Sequence, residues 1–556
     1  MSSTITIEDV SKHALIWGES SSEKGEIFTK PEIVQFMLCT SGVSRALLNP
    51  DTQILEPSCG QGAFVHAIAE ELCLKIKASN KSELLSAGRF LKLITAYDIS
   101  NDSIAIAKRK TYQVLRTIFD DANAQMLVNE WYKNDDFLLN DSSSFYTHIV
   151  GNPPYVRIEN IPYKLLDAYR NKFVTMKERA DLYVAFYEKS LSLLKENGVL
   201  SFICTDRWTK NSYGSSLRKY IDGGYQLDLY VDMYGQDAFQ SEVLTYPAIT
   251  QISRRKKSQA IIIHNPKIDN DFSQVVAQAL LDDTIEFAGK IVRKDVVSGS
   301  KPWMFGSSDE LELIKRLERD FPLIEDTGCQ IFIGAATGNN KVYVVDENVD
   351  IESSRKIPMV KAVDIKNGYL NNYNQFIINT YDNDGVINLD NFPKLKKYLE
   401  SYGNILKSRY ISKKSPSAWF KTIDRVYPER AKAEKLLIPD IKSQLTVVYD
   451  EGVYHPNNSI YYICSKYWNL KALQAVLISG IGQIFVEGYS TKVSGGNLRF
   501  QAQHLRRIRL PLWDSVSEDL RLRLEQAAIK GDISAAKELV CSLYCLSDRE
   551  KQVLGC

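Results

Sequence analysis

Between about residues 20 and 255, short apolar runs alternate with stretches of helical periodicity, the pattern of a doubly wound α/β domain. Residues 53–56 predict a strand, followed by a glycine-bearing turn and a helix over 63–78. A second strand is expected at 91–98 with a helix at 103–115, and a third at 147–150, ending in a proline-rich turn. Residues 181–194 read as an amphipathic helix, with Leu182, Ala185, Phe186, Lys189 and Leu193 spaced for one face. Strands at 199–204, 227–231 and 248–252 complete the expected sheet.

The basic tetrad at 254–257 marks a change of character, which sets a catalytic domain over 1–257 and a connecting region over 258–325. From 326 the chain is richer in Tyr, Asn and short β-like runs, as at 330–333 and 341–345. An α+β domain is expected over 326–515, and 516–556 should be a helical segment, with one helix over 517–543.

Composition changes this picture little. A chain of 556 residues should form two or more domains. With 44% hydrophobic and 25% charged residues it reads as globular. A formal charge of +1 excludes a uniformly basic protein but not a local basic face. The nine cysteines are scattered without a CxxC pair, so reduced thiols in a cytoplasmic protein are expected, with no disulfide frame and no metal site. The N-terminal residues lack the basic and apolar regions of a secretory leader. The apolar stretch 470–486 is interrupted by Gln474, Gly480, Gly482 and Gln483, so no membrane segment is expected.

The chemistry centres on Asn152-Pro153-Pro154-Tyr155, directly after the third strand. An amine conjugated to a ring or carbonyl is planar and a poor nucleophile. The Asn152 oxygen and the Pro153 carbonyl could each accept one of its hydrogens, two prolines would stiffen the turn, and Tyr155 would offer a ring face. Two acceptors on one NH2 expose its lone pair. Taken alone, the tetrapeptide fits an ordinary turn equally well.

Upstream, the segment 54–64 with Glu56, Pro57, Cys59, Gly60 and Gly62 follows the first strand, where such folds bind nucleotides. Gly60 and Gly62 would let the backbone approach a ligand closely. Asp98 ends the second strand, a position from which a carboxylate can hold ribose hydroxyls. Asp136-Phe137 could take an adenine amino group and pack on the base, and Thr29, before Pro31, is expected to cap a helix.

In this order the segments resemble the S-adenosylmethionine-dependent DNA adenine-N6 methyltransferases of the TaqI-like group, closely over about 20–255 and loosely beyond. The resemblance implies a class I, Rossmann-like mixed sheet followed by a target-recognition domain. It implies that Thr29 holds the methionine carboxylate end, that Glu56 and its turn (Pro57, Cys59, Gly60, Gly62) hold the amino-acid portion, and that Asp98 holds the ribose. Asp136, Phe137 and Ile99 would take the adenine, and Asn152, Pro153, Pro154 and Tyr155 the target amine, with Tyr246 as a second aromatic on the flipped base. Double-stranded DNA is the implied partner, the protein acting as a monomer with any cognate endonuclease on a separate chain. A glutamine-amide protein methyltransferase shares the turn, and a DNA-binding defence subunit with little turnover shares the fold. The length following the sheet argues against the first and the intact motifs against the second.

Between residues 402 and 435 nine basic residues stand against three acidic ones, interleaved with aromatics. Lys413, Lys414, Trp419 and Lys421 are the expected DNA contacts there, with Arg499 and Arg506 farther on and the 337–341 segment as another groove candidate.

Overall fold

The computed structural model describes residues 29–556, apart from 80, 142–143, 234–237, 240–246, 256–258, 286–290, 298, 307, 367, 372–373, 383, 491–492 and 494–495. Tyr246 lies outside the described residues. The chain divides into two units, 1–305 and 306–556.

The first unit is built on nine strands: β1 (Ile54–Glu56), β2 (Ile94–Asp98), β3 (Tyr132–Asn134), β4 (Tyr146–Gly151), β5 (Leu194–Thr205), β6 (Gln226–Asp232), β7 (Pro247–Ser253), β8 (Ala260–His264) and β9 (Ile291–Lys294). Their order is β3-β2-β1-β4-β5-β7-β6-β8-β9. Neighbours from β3 to β5 run parallel, and β7 is inserted antiparallel between β5 and β6. Successive strand residues enter opposite cores: Ile54 joins the helices Pro31–Ser41 and Ala63–Ser79, while Leu55 joins Tyr183–Ser192.

Several expectations change. The sheet does not end with residues 248–252, because Ile261–Ile263 pair with β6 and with β9. Trp303 and Phe305 also pack into the first unit's core, so its boundary falls after 305 instead of 257. In the tetrad, Arg255 pairs with the buried Asp228 of β6, so it is held to the sheet of the first unit. The helix Tyr183–Ser192 is not amphipathic: every residue from Tyr183 to Leu191 is buried.

The second unit opens with the helix Ser308–Asp320 and carries two four-stranded sheets. One joins Cys329–Ile333, Ile460–Ser465, Lys435–Pro439 and Val448–Asp450 in antiparallel fashion. The other joins Val344–Asp346, Gln375–Ile378, Lys356–Val360 and His455–Pro456. The expected helix over 517–543 is two helices, Glu518–Lys530 and Ile533–Leu543, because Gly531 turns left-handed at φ 65 and Asp532 caps the second. Among the described residues one helix, Leu470–Tyr489, is long and apolar enough to cross a membrane, and two thirds of it is buried within the protein. Gly480, at φ 111, kinks it.

Candidate active site

The sheet changes direction between β1 and β4, the place where an open α/β sheet leaves a crevice at its carboxyl edge. A cavity of about 760 Å³ lies there. It is lined from the ends of β1 (Glu56 to Ala63), β2 (Asp98, Ile99), β3 (Asp135 to Leu138) and β4 (Asn152, Pro154), so one edge of the sheet gathers residues far apart in sequence. Every residue expected to hold the cofactor lines it: Thr29, Glu56, Pro57, Cys59, Gly60, Gly62, Asp98, Ile99, Asp136 and Phe137. Pro153 and Tyr155, the other two residues of this turn, are not among the residues that line it.

The turn after β1 is tied down by its neighbours. The Cys59 amide donates to the Tyr97 carbonyl at 2.8 Å, and the Gly60 amide to Asp98 Oδ2 at 2.7 Å. Asp98 Oδ1 accepts from the Ser100 amide at 2.8 Å, so this carboxylate fixes the turn that it faces. Gly62, at φ 83, does more than its expected role. A Cβ there would meet the Ala107 Cβ at 2.8 Å and the Tyr132 hydroxyl at 3.0 Å. Its missing side chain makes room for the helix Asn101–Leu115 behind the turn, a packing demand in addition to its place on the cavity.

Glu56 is buried, and burial holds its carboxyl well above the ordinary carboxylate range. The Val65 amide opposes the shift, and the charge of Asp98 adds to it. Its Oε2 has no hydrogen-bond partner among the described residues. A buried acceptor of this kind suits a cationic amino group. The cavity as a whole carries Glu56, Glu70, Asp98, Asp135 and Asp136 against Lys110 and His66, which fits a ligand bearing positive charge, as S-adenosylmethionine does.

Asp136 accepts from the Leu138 amide at 2.8 Å through Oδ1 and from the Tyr169 hydroxyl at 2.7 Å through Oδ2. Phe137 is fixed between Phe186, stacked at 5.6 Å, and Tyr97 at 5.7 Å. Tyr169, Leu182 and Phe186 also line the cavity, and none was singled out for it in the sequence. Leu182 and Phe186 bear apolar spacing that reads as core, and Tyr169 is one of 30 tyrosines with no motif around it.

Thr29 is not a helix cap. Lys30 occupies the cap position of Pro31–Ser41, while Thr29 makes an isolated bridge to Phe239. Its hydroxyl instead accepts from Asn152 Nδ2 at 3.2 Å. The Asn152 backbone carbonyl accepts from the Ser58 hydroxyl at 3.2 Å, joining the two turns. The Tyr155 hydroxyl donates to the Ile203 carbonyl of β5 at 3.2 Å, and its ring meets Phe239 edge-on at 6.2 Å. Burial keeps the phenol neutral.

In the second unit the basic stretch separates into two kinds of residue. Lys407, Lys413, Lys414 and Lys432 are exposed. Lys414 lies 4.8 Å over Tyr410, Lys407 lies 5.0 Å over the half-buried Trp419, and Lys421 reaches Ser415 Oγ at 3.5 Å. Arg409 turns inward to the Tyr343 hydroxyl and the Trp419 and Lys421 carbonyls, and Lys435 is fully buried against Asp450 at 2.6 Å. Arg499 and Arg506 depart from expectation. Arg499 is committed to Asp440 at 2.6 Å, and Arg506 to Glu325 and the Ile331 carbonyl, both at 3.0 Å. Gly338, in the 337–341 segment, is left-handed and packs against Ile423, so it serves the fold of this region.

Comparison with known proteins agrees with this arrangement. Residues 69–239 match the Eco57I restriction-modification methylase family, and residues 391–512 the TaqI-like C-terminal specificity domain. The chain is 40% identical over 541 residues to the Type II methyltransferase M.XhoI of Xanthomonas vasicola, covering 96% of this chain and 99% of that one. It is 41% identical over 539 residues to M.PaeR7I of Pseudomonas aeruginosa, covering 96% and 93%. The fold is similar to that of the Type IIL restriction-modification enzyme MmeI, with a TM-score of 0.64 at 13% identity over 94% of this chain and 77% of that one. Sharing this identity along almost its whole length, the chain belongs to the Type II restriction-modification DNA methyltransferases, which are S-adenosylmethionine-dependent enzymes of class I fold.

Proposed function

We propose that this protein methylates the N6 amine of an adenine at a specific site in duplex DNA, the base being turned out of the helix to reach the cavity. The observation that carries this reading is Asn152, which stands on the cavity at the end of β4 with its amide nitrogen held by Thr29. Its carbonyl oxygen would accept one hydrogen of the target amine. Pro153 supplies the second acceptor, and Tyr155 stacks on the base.

Bound S-adenosylmethionine supplies a methyl group on a positively charged sulfur, a leaving group that needs neither acid nor metal. Glu56 and the turn after it would hold the amino-acid portion, and Thr29 its carboxylate. Asp98 takes the ribose, and Asp136, Phe137 and Ile99 the adenine. The protein's part in the chemical step is orientation: two fixed acceptors draw the planar nitrogen toward a tetrahedral shape, and the proton that the methylated nitrogen sheds after the attack passes to solvent. No general base with a shifted pKa is needed.

Extruding a base costs a few kcal/mol in stacking and pairing. Stacking on Tyr155 returns part of that, and contacts from the second unit to the DNA backbone supply the rest. We assign target recognition to that unit, the enzyme acting as a monomer with cleavage left to a separate endonuclease. Cytosine N4 is also a planar amine. Adenine is favoured by the order of the Thr29, Glu56, Asp98, Asp136 and Asn152 segments, which resembles that of the TaqI-like adenine-N6 methyltransferases. The test is direct: label unmethylated plasmid DNA with tritiated cofactor, digest it to nucleosides and separate them. Label in N6-methyldeoxyadenosine is expected, and label in N4-methyldeoxycytidine overturns the assignment.

A further inference from the structure

The turn that follows β3 is gripped by two lysines from different helices. Lys189, buried on Tyr183–Ser192, donates to the carbonyls of Phe137 and Asn140 and, at 3.5 Å, of Leu138. The same ammonium lies 4.8 Å over the Phe137 ring. Lys172, which ends the helix Tyr163–Lys172, donates to the Leu139 carbonyl at 3.0 Å and pairs with Asp141 at 2.9 Å. Tyr169, one turn earlier on that helix, donates to Asp136. Four consecutive carbonyls, 137 to 140, are thus held by two ammonium groups, and the Asp136 carboxylate by a phenol.

A lysine is a costly residue on a helix buried on every face. Its ammonium must be hydrogen-bonded there, whereas a Met or Leu would fill the space without that demand. Burial, with the neighbouring charge of Lys172, pulls the Lys189 amine down to about 8, against the pull of Asp136, Asp141 and Asp135. What the charge obtains in return is a fixed turn, and that turn carries Asp136 and Phe137 into the cavity.

We propose that Lys189, assisted by Lys172 and Tyr169, is a positioning residue that builds the adenine end of the cofactor cavity, acting on cofactor affinity through the Asp136-Phe137 turn. This rests on reading the cavity as the cofactor site, so the test must separate the two claims.

Calorimetry on the full chain would use two probes, S-adenosylhomocysteine and 5′-methylthioadenosine, the second lacking the amino-acid portion. Lys189→Met is expected to weaken both by about tenfold or more, the worth of one or two charge-assisted hydrogen bonds. Glu56→Gln should weaken only S-adenosylhomocysteine. In turnover, the loss in Lys189→Met should fall on KM for the cofactor more than on kcat, a split that general loss of structure does not produce. If Glu56→Gln shows its selective loss while Lys189→Met binds both probes like the unaltered protein, the positioning role is refuted. If neither substitution changes either affinity, the cavity is not the cofactor site and both claims fall. Should Lys189→Met not fold, the exposed Lys172→Met decides: a loss of about threefold for both probes is expected, and unchanged affinity overturns the proposal.

Discussion

Asn152 Nδ2 donates to the Thr29 hydroxyl at 3.2 Å, so the residue proposed to aim the target amine is itself aimed by a threonine 123 positions earlier. An amide has two faces of opposite character, and committing its NH2 to Thr29 presents its oxygen elsewhere. Thr29→Val removes that acceptor while nearly conserving shape. A net loss of about 1 kcal/mol, or roughly fivefold in kcat, is expected from one neutral hydrogen bond, and Thr29→Ser should restore it. Asn152→Ala should lower kcat by about a hundredfold to a thousandfold, the range for removing one oriented dipole, with cofactor affinity retained. Tritium incorporation and calorimetry check the pair, and normal incorporation by Asn152→Ala refutes the aiming role.

Tyr155 has two separable parts. Its hydroxyl is spent on the Ile203 carbonyl, and its ring, edge-on to Phe239, is the part proposed to stack on the base. Tyr155→Phe should therefore keep most activity, whereas Tyr155→Ala should lose about 1 to 3 kcal/mol of base stacking. A fluorescent adenine analogue at the target position reads this as loss of the extruded state. Equal defects in the two variants would assign the hydroxyl, not the ring, to function.

Glu56 predicts a pH dependence of cofactor binding. Burial raises its carboxyl in the folded protein, so the free protein keeps a proton there above the pH at which the unfolded chain loses it. Its contribution to the stability of the free protein is therefore most favourable below the ordinary carboxylate value, declines as pH rises toward the raised value, and is level beyond it. Pairing with a cationic amino group requires the ionised form. Binding should then expel a proton and tighten as pH rises, levelling off above the raised value. Titrations in buffers of different ionisation enthalpy measure that proton, which should vanish in Glu56→Gln; a proton count unaffected by the substitution contradicts the assignment.

What was legible in the sequence and what was not follow from the range of the interactions. Glu56, Asp98 and Asn152 each stand at or just beyond the end of an apolar run, so strand pattern and motif order suffice to bring them to one edge, whereas Asp136 follows the short polar strand Tyr132–Asn134, which no apolar run announces. The Thr29–Asn152 contact and the Tyr169–Asp136 bond join turns that only the packed sheet brings together, and no local pattern encodes them. Gly62 showed that a glycine was required but not which neighbour required it, since Ala107 and Tyr132 come from other elements. The run Ile261–Ile263 lies just past a basic tetrad that resembles a boundary, and its membership in the sheet depends on pairing with β6 and β9. Charge was similarly ambiguous. Arg499 and Arg506 carry the sign expected for a DNA contact, but their partners are 59 and 181 residues distant.

That division of the basic residues makes a last prediction. Lys413 and Lys414 are exposed at the end of the short helix Tyr410–Lys414, and neither is tied to a carboxylate in any ion pair among the described residues. A lysine of this kind can exchange its counterions for DNA phosphate. Replacing both with Ala should weaken DNA binding at low salt and reduce the slope of log affinity against log salt by about one to two. Arg506 already has Glu325 and the Ile331 carbonyl as partners, so Arg506→Ala should leave that slope as it is. Its cost should appear as a small loss of thermal stability, since the ion pair is largely solvent-screened. Anisotropy titrations across a salt series distinguish the two cases. If the slope falls for Arg506→Ala and stays constant for the lysine pair, the phosphate-facing surface lies around the 494–509 segment and not on the 402–435 stretch.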